Sequence, residues 1–206
     1  MVNTNYTKSV VPMGYVRIIH TVPDAPNVDI YANDKLIVKN LAYGDYTDYL
    51  PIQEGTYKIS LYATGTQKSP VISNMLTVDN NAILTVAAAG TLKDIGFLVI
   101  HDANVRIEPD KAMIRFLHLS PNAPAVDITL PDGTVVFSNV SFEHITLYID
   151  VVPMDYTLQV KVAGTDQVVL TVPNVNLDKN KYYTIYAIGF VGEQPELEAL
   201  LLLDGE

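Results

Sequence analysis

The sequence predicts an all-β protein built of two tandem β-sandwich domains, immunoglobulin-like or transthyretin-like in type. Three observations predict it. A domain's length of sequence occurs twice, apolar residues recur with a period of two, and no segment shows amphipathic helical periodicity. The repeat is plainest at its start. Arg17-Ile18-Ile19-His20, Pro23-Asp24-Ala25-Pro26 and Val28-Asp29-Ile30 return as Arg115-Phe116-Leu117-His118, Pro121-Asn122-Ala123-Pro124 and Val126-Asp127-Ile128. Further on, Asn40, Thr47, Tyr49, Tyr57, Thr85 and Gly90 meet Asn139, Thr146, Tyr148, Tyr156, Thr184 and Gly189.

The elements follow in order. In the first copy, segments 16–20, 28–31, 36–38, 45–50, 57–63, 71–78, 83–89 and 95–101 read as strands. Segment 57–63 gives the clearest alternation, with Tyr57, Ile59, Leu61 and Ala63 against Lys58, Ser60 and Tyr62. Such alternation places one face inward and one toward solvent. Its counterpart sets Tyr156, Leu158, Val160 and Val162 against Thr157, Gln159 and Lys161. Turn chemistry separates the strands, as at Pro131-Asp132-Gly133 and at Asn33-Asp34 in the matching place. Eight short strands without helices point to a sandwich, with an eight-stranded barrel as the alternative. Residues 1–13 form a tail, 14–102 the first repeat, 103–112 a charged linker with Pro109, and 113–206 the second repeat.

Composition excludes several functions. Net charge is −10 over 206 residues, so phosphate backbones would be repelled and no nucleic-acid partner is expected. Cysteine is absent, which rules out thiol chemistry, disulfides and cysteine zinc sites. No apolar run is long enough to span a bilayer as a helix, and the polar start shows no signal peptide, which leaves a cytoplasmic location open. No phosphate-binding glycine loop and no nucleophile elbow occurs, so no cofactor is expected.

The repeated polar residues read as structural. Pro23 and Pro26, like Pro121 and Pro124, stiffen a corner between two strands. Asp24 and Asn122 share the position between them, and an Asx-type turn explains the exchange. His20 and Asp29, and likewise His118 and Asp127, read as hydrogen-bonded pairs inside the sandwich. Two ligands per copy fall short of a metal site. The competing reading is a hydrolase or metal-dependent enzyme using His20 and Asp29, or His118, Ser120 and Asp127. It would require these side chains to converge at an open cleft.

Tyrosine occurs 13 times and tryptophan not at all. Tyr49/Tyr148 and Tyr57/Tyr156 repeat and read as core or corner aromatics. Tyr31, Tyr46 and Tyr62 meet Thr129, Ile145 and Lys161, so the fold does not demand an aromatic there. These three are the candidate binding residues, with a glycan or a protein as ligand. A third reading is a structural protein forming homo-oligomers through strand edges, with residues 1–13 pairing to a neighbour.

The run Val16-Arg17-Ile18-Ile19-His20-Thr21-Val22-Pro23-Asp24-Ala25-Pro26-Asn27-Val28-Asp29-Ile30 resembles the opening of the bacterial family called domain of unknown function 4397. Asn40-Leu41-Ala42-Tyr43-Gly44, Glu54-Gly55-Thr56-Tyr57 and Ala88-Ala89-Gly90 look like it too, and residues 114–128 match it again. The resemblance implies tandem β-sandwich modules of exported or surface proteins, and so a binding module of the bacterial cell envelope. It carries over no catalytic residue. The departure is Val22, where the family usually has the serine found at Ser120.

Overall fold

The computed structural model describes residues 11–102 and 106–205. The first repeat contains β1 (Met13–His20), β2 (Val28–Ala32), β3 (Lys35–Leu41), β4 (Leu50–Gln53), β5 (Gly55–Ala63), β6 (Ile72–Val78), β7 (Ile83–Ala89) and β8 (Gly96–His101). The second contains β9 (Ala112–His118), β10 (Val126–Thr129), β11 (Val135–Val140), β12 (Ile149–Val151), β13 (Asp155–Val162), β14 (Val168–Asn176), β15 (Tyr182–Ile188) and β16 (Glu198–Asp204). Each repeat is a sandwich of two four-stranded sheets. Their orders are β4-β1-β7-β8 with β3-β2-β5-β6, and β12-β9-β15-β16 with β11-β10-β13-β14. The all-β sandwich expected from the sequence is therefore the fold, and no barrel closes. β1 pairs with β7 in parallel, as β9 does with β15, while the other ladders are antiparallel.

One expected strand differs. Of segment 45–50 only Leu50 belongs to a strand, β4, which pairs with β1, and 45–49 makes a single bridge, Ile19 to Tyr46. The Thr47 hydroxyl is the reason. It accepts the Ile18 N–H at 3.0 Å, while the Thr47 N–H donates to the Ile18 carbonyl at 2.9 Å. A side chain thus replaces one ladder bond, and regular pairing stops there. Thr146 does the same at Phe116. The tail also differs, since Met13 already belongs to β1. Of the rest of that tail, residues 1–10 lie outside the described residues.

The four sheets stack as four layers. The central strands of the inner sheets show no alternation of burial. β9 is buried at every position and β7 at all but its first. Both faces of these strands are covered, and near-continuous apolar sequence is what such a strand requires. On β7, Leu84, Val86 and Ala88 enter the first sandwich core, while Ala87 and Ala89 join a separate cluster. That cluster also holds Ile19, Ile100, Leu117, Leu119, Tyr186, Ile188 and Leu202. It is the junction between the repeats, a third core formed by the outward faces of the two inner sheets.

Candidate functional site

A four-residue charge cluster lies beside this third core. Arg17 projects from β1 toward the second repeat, where its Nη2 donates to Asp204 Oδ1 at 2.6 Å and its Nη1 to the Leu203 carbonyl at 2.7 Å. Arg115 projects the opposite way. Its Nη2 donates to Asp102 Oδ1 and its Nη1 to the His101 carbonyl at 2.9 Å. Each aspartate is held within its own repeat as well. Asp102 Oδ2 accepts the Thr85 hydroxyl at 2.5 Å and the Tyr49 hydroxyl at 2.8 Å. Asp204 Oδ2 accepts Thr184 at 2.5 Å and Tyr148 at 2.8 Å. The guanidinium of Arg17 lies 4.7 Å from the Tyr49 ring centroid, and that of Arg115 4.3 Å from Tyr148. Both aspartate side chains are wholly buried.

Buried charges persist only when paired and hydrogen-bonded, and here each repeat supplies what the other needs. Burial works against the Arg17 charge, but Tyr186, Tyr49, Asp204 and Asp102 outweigh it and raise its pKa. Burial and then the Asp204 carboxylate push Asp102 upward, against Thr85, Arg115 and Arg17. One contact breaks the twofold pattern. Tyr186, fully buried, sets its hydroxyl 3.4 Å from Arg17 Nη2, whereas its counterpart in the first repeat is Ala87.

Sequence reasoning missed this cluster. The sequence places Asp102 only at the last position of the first repeat, beside a charged linker, and nothing there marks it as buried, yet it is 2% exposed. Its match to Asp204 is hidden because the loop 190–197 is longer than its counterpart 91–95. Tyr49 and Tyr148 are junction donors as well as packed rings. A usable signal was present: Arg17 and Arg115 stand inside otherwise apolar strands, and a charge there demands a partner.

The histidines sit elsewhere. His20 Nδ1 accepts the Val22 N–H at 3.3 Å, so its Nε2–H donates to the Pro26 carbonyl at 3.1 Å. His118 repeats this with Ser120 N–H and the Pro124 carbonyl, at 3.3 and 3.0 Å. Each imidazole is a clasp on its proline corner, bonded to backbone and not to an aspartate. The expected His–Asp pairs are not formed. Asp29 instead accepts from the N–H groups of Asn40 (2.8 Å) and Gly65 (3.0 Å). Asp127 does so from Asn139 (2.7 Å) and Gly164 (2.9 Å). These bonds hold Asn40 and Asn139 at positive φ, 56° and 52°, where the edge strands bulge.

The Asp24 and Asn122 bonds also reach further than an Asx turn. Asp24 Oδ1 accepts from Leu92 N–H at 2.7 Å, and Asn122 Oδ1 from Val191 N–H at 2.8 Å. The local turn is closed instead by backbone bonds from Ala25 to Val22 and from Ala123 to Ser120. A shared acceptor oxygen still explains why Asp and Asn interchange. Pro23 and Pro121 open these turns. Ser120 is fully buried and its hydroxyl has no partner, which fits Val22 in the same place. His118, Ser120 and Asp127 do not converge at an open cleft.

Burial pushes both imidazoles below their ordinary pKa of 6.5. Protonating Nδ1 would also break the bond it accepts. The unfolded chain therefore binds protons that the folded one refuses, and stability is lost as pH falls through that value. The urea midpoint should drop between about pH 7.5 and 5. Replacing both, His20→Gln with His118→Gln, should flatten that slope. Asp29, held below the usual carboxylate range first by the Gly65 N–H, adds its loss only at lower pH.

The candidate tyrosines fall in two places. Tyr31 and Tyr62 pair edge to face at 5.3 Å on the outer sheet, and Tyr31 is only 9% exposed, because Tyr62 covers it. An exposed set of three is thus not what the chain presents. Tyr46 is 49% exposed and lies at the junction, where it lines a cavity of about 200 Å³ with Arg17, Thr47, Asp48, Tyr49 and Leu203. Among the described residues no group of three or more histidine, aspartate or glutamate side chains is placed to hold a metal.

The chain can now be set beside known proteins. Among solved structures it is similar to the C-terminal domain of AlgF from P. aeruginosa, at 20% identity and a TM-score of 0.36, over 46% of this chain and 98% of that one. It is also similar to CBMbc (family CBM26) from Eubacterium rectale, solved with maltoheptaose. That match has 9% identity and a TM-score of 0.30, over 94% of this chain and 98% of that one. No curated protein matches it. The family described as "Domain of unknown function (DUF4397)" matches residues 14–129 and 130–206. With nearly every described strand inside those two segments, the chain belongs to the DUF4397 family.

Proposed function

We propose that the protein is a non-enzymatic binding module whose ligand is a glycan or another protein. The observation that carries this reading is the division of labour among its side chains. The repeated histidines, aspartates and arginines are occupied by the fold, through the corner clasps, the edge bulges and the junction cluster. The open aromatic residues among those described are unrepeated: Tyr15 and Tyr46 are 45% and 49% exposed, where the second repeat has Met113 and Ile145. Half-exposed aromatics on a rigid β scaffold suit recognition, with rings offering contact area at little entropic cost.

The test is direct. Full-length protein is immobilised and exposed to a glycan array and to bacterial envelope fractions, the setting that the family resemblance implies. Retention of a glycan or a protein, weakened by Tyr46→Ala or Tyr62→Ala, is the expected result. Empty results on both would sink the reading.

A further inference from the structure

We propose that the seam between the repeats, on its Tyr49 side, is a binding cleft for a neutral glycan. This rests on the binding-module reading and gives that reading a site and a ligand class. Two hollows share Tyr49 as a wall. One, of about 200 Å³, is lined by Arg17, Tyr46, Thr47, Asp48, Tyr49 and Leu203. The other, of about 150 Å³, is lined by Tyr15, Tyr49, Ile83 and Gly205. Ligand sites favour such places, where two domains meet and neither fills the gap.

The internal symmetry supplies a control that few proteins offer. The opposite seam has the same scaffold: Tyr148 bonded to Asp204 and set over Arg115, as Tyr49 is bonded to Asp102 and set over Arg17. Its surroundings differ. Met113, Ile145 and Leu147 stand where the first seam has Tyr15, Tyr46 and Asp48. Tyr182 stands where the first seam has Ile83, and it packs edge to face on Tyr148 at 5.6 Å. A second ring therefore covers Tyr148, whereas Ile83 leaves room beside Tyr49. The junction needs the shared residues. It does not need the tyrosines, the aspartate and the gap that occur on one side.

The chemistry of that side is that of sugar recognition. Tyr49 is held at its hydroxyl, which donates to Asp102 and accepts the Gly205 N–H at 3.3 Å. Its ring is a fixed wall, and a pre-set wall costs a ligand little ordering. Tyr15 and Tyr46 add two more aromatic surfaces for the C–H faces of a pyranose. The Asp48 carboxylate is an acceptor for sugar hydroxyls. An anionic glycan would meet Asp48 and a chain of net charge −10, while the Arg17 charge is already compensated by Asp204. Neutral sugars fit these constraints. A protein partner wants a broad face of roughly 1,000 Å² or more in total, not two narrow hollows.

The experiment exposes full-length protein to a neutral glycan array and to envelope fractions, followed by calorimetric titration with the best-retained oligosaccharide. Tyr46→Ala and Tyr15→Ala should each weaken binding by about tenfold, since an aromatic contact is of that order. Ile145→Ala, the mirror-image change at the opposite seam, should leave affinity unchanged. Glycan binding that survives both tyrosine changes, or that falls equally with Ile145→Ala, would overturn the cleft and leave the module reading standing. Retention of envelope protein alone would overturn the glycan. Retention of nothing would overturn both.

Discussion

Asp102→Asn is expected to destabilise the folded protein by roughly 3–5 kcal/mol, the range for breaking a buried ion pair from one side. The asparagine oxygen can still accept from Thr85 and Tyr49. Its amide group would then face Arg115, donor against donor, and two buried guanidinium charges would share one carboxylate, Asp204, which lies 2.6 Å from Arg17 and 3.7 Å from Arg115. Asp204→Asn should cost about as much, because Arg17 stands to it as Arg115 stands to Asp102. Urea unfolding at neutral pH measures both. Losses under about 1 kcal/mol would mean that water reaches the cluster and screens it. Replacing Arg115 together with Asp102 by apolar residues of similar volume should recover much of the loss, since the pair's worth lies in mutual compensation.

Tyr186→Ala should cost a comparable amount, about 3–5 kcal/mol, for a different reason. This ring is the largest fully buried side chain among the described residues and it belongs to the third core. Truncation leaves a cavity between two sheets that are each held rigid by a second sheet, so little collapse can fill it. Tyr186→Phe separates the terms. It keeps the volume and loses only the hydroxyl contact with Arg17, for about 1 kcal/mol. If the phenylalanine variant matched the alanine variant, the polar contact and not the packing would dominate.

The sandwich architecture was legible because strands such as β13 send Leu158 and Val160 into the core and Thr157 and Gln159 to the other face, so alternation in sequence records the layer. The inner strands hid their role for the opposite reason. Ala87 and Ala89 carry no polarity contrast with Leu84, Val86 and Ala88, and a second packed face accounts for that. His20 and Asp29 invited pairing because they are close in sequence, yet they stand on β1 and β2, strands of opposite sheets, and each finds its own partners. One closes a corner and the other shapes an edge. The tyrosines could be sorted into repeated and unrepeated, but not into covered and open. Tyr31 is shielded by Tyr62, thirty-one positions away, and Tyr15 lines a hollow only because the two repeats meet there.

The junction has a further property. An arginine from each half reaching the aspartate of the other is the pattern of a symmetric homodimer, in which one surface patch meets itself. The apolar part departs from it. Tyr186, Ile188 and Leu119 on one side correspond to Ala87, Ala89 and Thr21 on the other. Two first repeats brought together would face each other across a void, and two second repeats would collide. The charges alone would let either half pair with its own kind. The volumes give the pairing a handedness, with one half as knob and the other as hole, so neither repeat is a spare copy of the other.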